Sequence, residues 1–157
     1  MAGKTRAVEV LNRSGVPFRE HEYEVGDTDL SYGEAVAEAL GVDPERLFKT
    51  LVAEVDGNPV VGIVPVSGRL SLKRLAKAAG GKRAEMADPA AAQRLTGYVV
   101  GGISPFGQKR PLPMFVDSTV DAYETVYVSA GKRGLQVEVT PADLLRLTVA
   151  STADLAE

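Results

Sequence analysis

A glycine-rich segment in the second half of the chain is the clearest candidate for contact with a ligand. Residues 101–108 read Gly-Gly-Ile-Ser-Pro-Phe-Gly-Gln. Glycines permit backbone angles that are closed to other residues, and consecutive free N–H groups in such a turn can hold an anion or an oxyanion. The spacing fits neither phosphate-binding glycine motif. On local chemistry alone, a plain turn between two strands explains these residues slightly better.

A lysine stands inside an apolar strand in the first half of the chain. Residues 47–52 read Leu-Phe-Lys-Thr-Leu-Val, and strand alternation places Lys49 on the same face as Leu51 and Ala53. Lysine is rarely buried without a partner. Lys49 therefore lies at a sheet edge or points into a polar cleft, and the pattern does not separate these two alternatives.

Most protein nucleophiles and metal ligands are missing from this composition. The chain has no Cys, and its only His is His21. These counts exclude disulfides, thiolate zinc sites, a Cys nucleophile and metal sites with two or three His ligands. No His stands near Ser104, Ser129 or Thr50 in the sequence, so an activated hydroxyl nucleophile is unsupported. We expect no cofactor and no metal, and interpret His21 as a structural or surface residue.

Two basic groups could contact nucleic-acid phosphates. Residues 131–134 read Gly-Lys-Arg-Gly and place two cations at a hairpin tip, while a second group follows the middle of the chain and comprises Lys73, Arg74, Lys77, Lys82 and Arg83. In both groups a solvated surface is the commoner explanation. The net charge of −3 does not by itself indicate a nucleic-acid-binding protein.

Short helices and strands alternate irregularly around these candidate residues. Capping residues predict helix starts at Ser31, Ser71, Asp88 and Thr140, the last two followed by proline. Helices are predicted over 5–14, 31–40, 71–79, 88–95 and 140–149, and strands over 17–23, 47–55, 60–66, 98–100, 114–116, 125–128 and 135–139. The turn residues 56–59 predict a hairpin between the second and third strands.

The overall composition is that of a globular protein. Hydrophobic residues make up 45% of the 157 residues and charged residues 25%, with no internal repeat. Residues 1–157 therefore predict a single domain of the α+β class, or a mixed-sheet α/β domain. No apolar run approaches about 18 residues, and the N-terminus lacks a signal-peptide pattern, so we expect a cytoplasmic protein without contact to membranes.

Four segments taken together resemble one known family. They are Val16-Pro17-Phe18 with His21-Glu22-Tyr23; Phe48-Lys49-Thr50-Leu51-Val52; residues 98–109, reading Tyr-Val-Val-Gly-Gly-Ile-Ser-Pro-Phe-Gly-Gln-Lys; and residues 129–136, reading Ser-Ala-Gly-Lys-Arg-Gly-Leu-Gln. In this order they resemble the YbaK family of Cys-tRNA(Pro) deacylases, which is related to the editing insertion domain of bacterial prolyl-tRNA synthetases. Gly101 and Pro105 match the Gly-x-x-x-Pro pattern of this superfamily.

The resemblance implies a compact domain with a mixed, largely antiparallel curved sheet flanked by helices. It also implies the residues of the site. Lys49 would be the essential lysine and Gly101 would lie in the catalytic loop, while the substrate-binding residues would be Tyr23, Thr50, Gly102, Ile103, Ser104, Pro105, Ser129 and Gln136. The substrate would be an aminoacyl-tRNA, namely mischarged tRNA(Pro) carrying cysteine, with Cys-tRNA(Cys) as a further substrate and prolyl-tRNA synthetase as a candidate partner.

The implied mechanism needs no protein nucleophile. In the family, the thiol of the substrate cysteine is thought to attack its own carbonyl and release a cyclic thiolactone. Gly101 and neighbouring N–H groups would then orient the ester and its oxyanion, and Lys49 would supply positive charge that holds the terminal-adenosine phosphate or the reacting group. The alternatives are a related deacylase with another preference, such as Ala-tRNA(Pro), and a non-catalytic adaptor that binds tRNA or a synthetase.

Overall fold

Five helices, each opened by a side-chain cap, were found in the computed structural model, which describes residues 4–157. They are α1 (Arg6–Ser14), α2 (Tyr32–Leu40), α3 (Leu72–Ala78), α4 (Pro89–Thr96) and α5 (Pro141–Thr148). At each start, a hydroxyl or carboxylate oxygen of the preceding residue accepts a hydrogen bond from the N–H three residues later. The helix starts predicted from Ser31, Ser71, Asp88 and Thr140 are therefore confirmed.

The strands in the described residues form two sheets. They are β1 (Arg19–Glu22), β2 (Phe48–Val55), β3 (Asn58–Pro65), β4 (Ala84–Met86), β5 (Met114–Asp117), β6 (Val126–Lys132), β7 (Leu135–Val139) and β8 (Ser151–Ala153). The smaller sheet has the antiparallel order β1-β7-β6, and the larger has the order β4-β2-β3-β5-β8. Only β3–β5 and β5–β8 pair in parallel. The predicted mixed, largely antiparallel α+β class is confirmed, with the strands divided over two sheets.

The first half of β2 is left unpaired on one side. The hairpin predicted at residues 56–59 forms, and β3 pairs along the whole of β2, with Lys49 opposite Val64. On the other side, β4 pairs only with Ala53 to Val55. Lys49 therefore lies where β2 has a free edge, next to the single bridge that links Leu47 to Tyr127 of the smaller sheet.

Three differences from the predicted strands are found. Residues 98–100 form a loop instead of a strand, because this segment closes on itself: Gly102 N–H donates to the carbonyl of Val99 at 2.9 Å, and the Tyr98 hydroxyl donates to the carbonyl of Phe106 at 2.6 Å. The strands β4 and β8 were not predicted. Each has three residues, too few to show alternation, and each forms only because a neighbouring strand offers an edge.

Apolar residues of both sheets and of α1 and α5 form the main core. Its largest members include Phe48, Phe106, Leu135 and Leu144, all at most 2% exposed. Phe106 belongs to the glycine-rich segment, so this loop is anchored in the core. Within residues 4–157 no helix is long and apolar enough to span a membrane.

Candidate active site

A pocket of about 350 Å³ lies between α2, the free edge of β2, α4, the glycine-rich loop and the β6–β7 hairpin. Six of the residues that the sequence suggested line it together: Lys49, Thr50, Gly101, Ile103, Ser129 and Gln136. They come from three separate regions of the chain. Sheet pairing, the loop and the hairpin bulge between Ser129 and Lys132 bring them together.

Lys49 is the half-buried cation of this pocket. Burial lowers the pKa of its ammonium group, the positive charge of Arg69 lowers this pKa further, and Glu34 acts in the opposite direction. Among residues 4–157 no carboxylate lies within 4.0 Å of the ammonium. The sequence left two alternatives for Lys49, a sheet edge or a cleft. In the structure Lys49 lies at a strand edge that lines a pocket.

Two hydrogen-bond acceptors in the pocket wall have no partner. Thr50 is 8% exposed and Gln136 is 6% exposed, and neither Thr50 Oγ1 nor Gln136 Oε1 is hydrogen-bonded within the described part of the chain. A buried polar atom without a partner costs about 1–3 kcal/mol. A ligand that donates hydrogen bonds would remove this cost, so these two oxygens are candidate contacts for a ligand.

Gly101 and Ile103 of the glycine-rich loop line the pocket. Gly101 has a φ of +92°, a region that favours glycine. No hydrogen bond within residues 4–157 uses the N–H of Gly101 or Ile103. The N–H of Gly102, in contrast, is already bonded to Val99. Any oxyanion contact from this loop therefore involves Gly101 and Ile103, not Gly102.

Gly102, Ser104 and Pro105 do not line the pocket; they are buried behind its wall. A Cβ at Gly102 would lie 2.8 Å from Cα of Lys132, so glycine is needed here for the loop to pack on the hairpin. Ser104 is fully buried, and its hydroxyl accepts a hydrogen bond from Phe106 N–H at 3.2 Å. These positions support the shape of the loop.

Tyr23 also lies outside the pocket, from which Tyr32 separates it. Its hydroxyl is 2.8 Å from the hydroxyl of Tyr32, which does line the pocket. Burial, followed by the interaction with Tyr23, raises the pKa of the Tyr32 phenol, so this phenol is neutral. Tyr23 therefore positions a pocket residue from behind.

Arg133 and Tyr32 are pocket residues that the sequence analysis did not assign to the site. The Arg133 guanidinium lies 4.9 Å from the centre of the Tyr32 ring, and its Nε donates to the carbonyl of Val100 at 3.2 Å. The two cations at residues 131–134 indicated a possible phosphate contact in the sequence, but a solvated hairpin end was the better interpretation of them. Nothing in the sequence indicated that α2 would place Tyr32 beneath this tip.

The chemistry available in the pocket is narrow. Its charged side chains are Lys49 and Arg133, and no Asp, Glu or His lines it. His21 lies elsewhere, 2.9 Å from Glu138. Among residues 4–157 no group of three or more His, Asp or Glu side chains could hold a metal ion. The site can neutralise negative charge and orient a ligand, but it offers no carboxylate or imidazole base.

A second, wider groove of about 760 Å³ lies beside β1, β6 and β7 and is lined by Arg46, Thr125 and Glu138. These three side chains already pair with one another. Arg46 donates to the carbonyl of Thr125 at 2.9 Å, and Glu138 accepts from the Thr125 hydroxyl at 2.5 Å. We therefore place the candidate active site in the smaller pocket, where buried acceptors and a cation lack partners.

Comparison with known proteins identifies the family. The model of the aminoacyl-tRNA editing domain matches residues 29–147, a segment that includes every residue named above as lining the pocket. The chain belongs to the aminoacyl-tRNA editing family. The resemblance found in the sequence is thereby confirmed, and as a member of this family the chain is an aminoacyl-tRNA deacylase.

Three relatives show the range of this family. A protein of Enterococcus faecalis, named as a candidate Cys-tRNA(Pro)/Cys-tRNA(Cys) deacylase, is 41% identical over 97% of this chain and 93% of its own. The multifunctional Ser/Thr-tRNA deacylase ProXp-y of Escherichia coli is 31% identical over 90% of this chain and 86% of its own. The crystal structure of a candidate trans-editing enzyme for prolyl-tRNA synthetase superposes with a TM-score of 0.85 at 27% identity, covering 100% of this chain and 98% of the other.

Proposed function

We propose that this deacylase acts in trans on mischarged tRNA(Pro) and removes cysteine from it, with Cys-tRNA(Cys) as a further substrate. The observation that carries the proposal is the unpaired Lys49 ammonium in a pocket without carboxylate or imidazole. Such a site can stabilise developing negative charge but has no base to activate water. The deacylase name of the Enterococcus faecalis relative supports cysteine as the amino acid.

The reaction then uses a nucleophile that the substrate brings. The cysteine thiol loses its proton and its sulfur attacks the ester carbonyl carbon of the same residue, which forms the S–C bond and an oxyanion. The oxyanion collapses, the C–O bond to the ribose breaks, and the ribose oxygen takes up the proton. The products are a cyclic thiolactone and free tRNA, and no water is consumed in this step.

Each polar group of the pocket has a place in this reaction. The positive charge of Lys49 stabilises the thiolate and the oxyanion, and the N–H groups of Gly101 and Ile103 hold the carbonyl oxygen. The unpartnered oxygens of Thr50 and Gln136 accept hydrogen bonds from the α-ammonium group of the substrate. Positioning a thiol next to its own ester contributes most of the rate, because the reaction is intramolecular.

A second candidate is a deacylase that prefers serine or threonine. The relative ProXp-y carries that activity in its name, and the hydroxyl of serine or threonine takes the place of the cysteine thiol in the substrate. An Ala-tRNA(Pro) preference has less support, since the alanine side chain provides no nucleophile and the pocket has no carboxylate or imidazole base to activate water. A non-catalytic adaptor leaves the unpaired Lys49 without a role.

The deciding experiment compares deacylation of tRNA(Pro) charged with cysteine, serine, threonine, alanine and proline. We expect cysteine to be released fastest and to appear as thiolactone, detected by mass spectrometry. S-methylcysteine is the matched control, because it keeps the shape of the side chain and removes the nucleophile. Equal release of cysteine and S-methylcysteine would refute thiol attack, and faster release of serine or threonine would establish the second candidate.

We also propose a partner, a domain extent and a cellular location for this deacylase. The net charge of −3 suggests weak intrinsic affinity for RNA, so we propose that prolyl-tRNA synthetase supplies part of the tRNA selectivity. Tight tRNA binding by the chain alone would count against this role. Residues 1–157 are proposed to act as one editing domain in the cytoplasm.

A further inference from the structure

Arg133 lies at the rim of the pocket, where three contacts hold it. Its guanidinium is stacked on Tyr32 at 4.9 Å, and its Nε donates to the carbonyl of Val100 at 3.2 Å. Its head also fills the space beside Gly101, where a Cβ would lie 2.8 Å from Nη2. An exposed arginine at a hairpin tip is usually mobile, but these contacts hold this one in one orientation.

The terminal nitrogens of Arg133 are free for a ligand. Within residues 4–157 its only side-chain hydrogen bond is that of Nε, and no carboxylate lies within 4.0 Å of the guanidinium. Glu22 and Glu24 line a neighbouring groove together with Arg133 and Lys132, but neither carboxylate pairs with it. A planar guanidinium with two free nitrogens matches the oxygens of a phosphate group.

We propose that Arg133 binds the phosphate on the 5′ side of the terminal nucleoside of the substrate RNA. The inference rests on the proposed function and deepens it: the site recognises an aminoacylated nucleoside 5′-phosphate, and not the aminoacyl nucleoside alone. A pocket of about 350 Å³ holds roughly one aminoacyl nucleoside. With the aminoacyl nucleoside inside the pocket, its 5′-phosphate is the first group of the RNA that lies outside. Arg133 is the exposed cation on the pocket rim, where this phosphate would lie.

The proposal also gives Gly101 a second role. The guanidinium occupies the volume that any larger residue at position 101 would need. The atoms that such a residue would meet belong to the end of the Arg133 side chain and not to backbone, so a side chain at position 101 would displace the guanidinium from the rim. Gly101 therefore shapes the phosphate site as well as the loop.

The test uses two stable analogues of the substrate terminus. Both are adenosine with cysteine joined through an amide at the 3′ position, and only one carries a 5′-phosphate. Calorimetry should show that the wild-type protein binds the phosphorylated analogue about tenfold more tightly, the effect of one charge-assisted contact. Arg133→Ala should bind both analogues equally, and Arg133→Lys should keep part of the preference because it retains charge without the planar fork.

Lys132→Ala is the matched control, because Lys132 neighbours Arg133 on the tip but does not line the pocket. Lys132→Ala should retain the full phosphate preference, and circular dichroism should show all three variants folded. Equal binding of the two analogues by the wild type, no binding of either, or an unchanged preference in Arg133→Ala would overturn the proposal. If the phosphate preference is found but no charged tRNA is deacylated, the proposed function fails and the Arg133 site stands.

A second measurement uses uncharged tRNA and does not depend on catalysis. Loss of one phosphate contact should reduce the slope of log K against log salt concentration by about 0.7 for a single-stranded end. Arg133→Ala should show this reduction, while Lys132→Ala should not. Identical slopes for the wild type and Arg133→Ala would contradict a phosphate contact.

Discussion

The sharpest prediction concerns Lys49→Met, which removes the charge and keeps an apolar side chain of similar length. Lys49 is half-buried and unpaired, so its charge is only partly screened. Two unit charges about 4 Å apart interact by roughly 4 kcal/mol at an effective dielectric constant near 20. An oxyanion that carries about half a charge would lose roughly 2 kcal/mol, and each 1.36 kcal/mol is tenfold in rate. We expect the rate of release from Cys-tRNA(Pro) to fall about 30-fold.

The same substitution should not weaken the fold. Burial lowers the pKa of Lys49 in the folded state below its unfolded value, so the unfolded chain binds more protons between these two pKa values. The folded state therefore carries a penalty at neutral pH, and this penalty disappears as the pH rises towards the unfolded pKa. Lys49→Met removes the buried charge, so its melting temperature at pH 7 should equal or exceed that of the wild type.

The assay is single-turnover release of cysteine from tRNA(Pro), measured together with thermal unfolding of each variant. Lys73→Met is the matched control, since Lys73 is an exposed lysine of α3 that does not line the pocket. Its rate should match the wild type. A folded Lys49→Met protein that retains more than about a third of the wild-type rate would refute the electrostatic role, because that loss is under 1 kcal/mol.

Four further predictions test the pocket. Thr50→Val removes an unpartnered buried oxygen; thermal unfolding should show a gain of up to about 1 kcal/mol, while KM for the aminoacyl substrate rises. Gly101→Ala should reduce activity. In a double-mutant cycle the reduction should be smaller in an Arg133→Ala background, because part of the lost activity comes from displacement of the Arg133 guanidinium. Strictly additive effects of the two substitutions would contradict this contact. The rate should fall at alkaline pH once Lys49 loses its proton. Because the pKa of Lys49 is lowered, this decline should occur at a pH below the ordinary lysine pKa. The pH profile of Lys49→Met, corrected for spontaneous ester hydrolysis, should lack the decline. Tyr98→Phe removes a buried hydrogen bond to the glycine-rich loop at 2.6 Å and leaves the Phe106 carbonyl unpaired, so denaturant unfolding should show a loss of about 1–3 kcal/mol; an unchanged midpoint would show that the loop does not depend on this anchor.

Local chemistry was sufficient to predict the helices and the long hairpin. The capping oxygens of Ser31, Ser71, Asp88 and Thr140 act within three residues of themselves, so their effect can be recognised in the sequence alone. The hairpin of β2 and β3 follows from a turn of four residues between two apolar runs. The absence of Cys and the single His also restricted the possible chemistry, because residue counts do not depend on how the chain folds.

What the tertiary structure decided is which candidate residues meet and which groups remain unpaired. Lys49 could have been an edge residue or a cleft residue. It is both, because the pairing of β4 with β2 ends at Ala53 and leaves the adjoining edge of β2 free. The placement of Arg133 over Tyr32 joins residues about a hundred positions apart, and no local pattern encodes such a contact. The sequence by itself determined the helices, the longer strands, the family and the residue types of the site. The packing of loop, hairpin and α2 decided its geometry, because contacts between distant segments form only when the whole core forms.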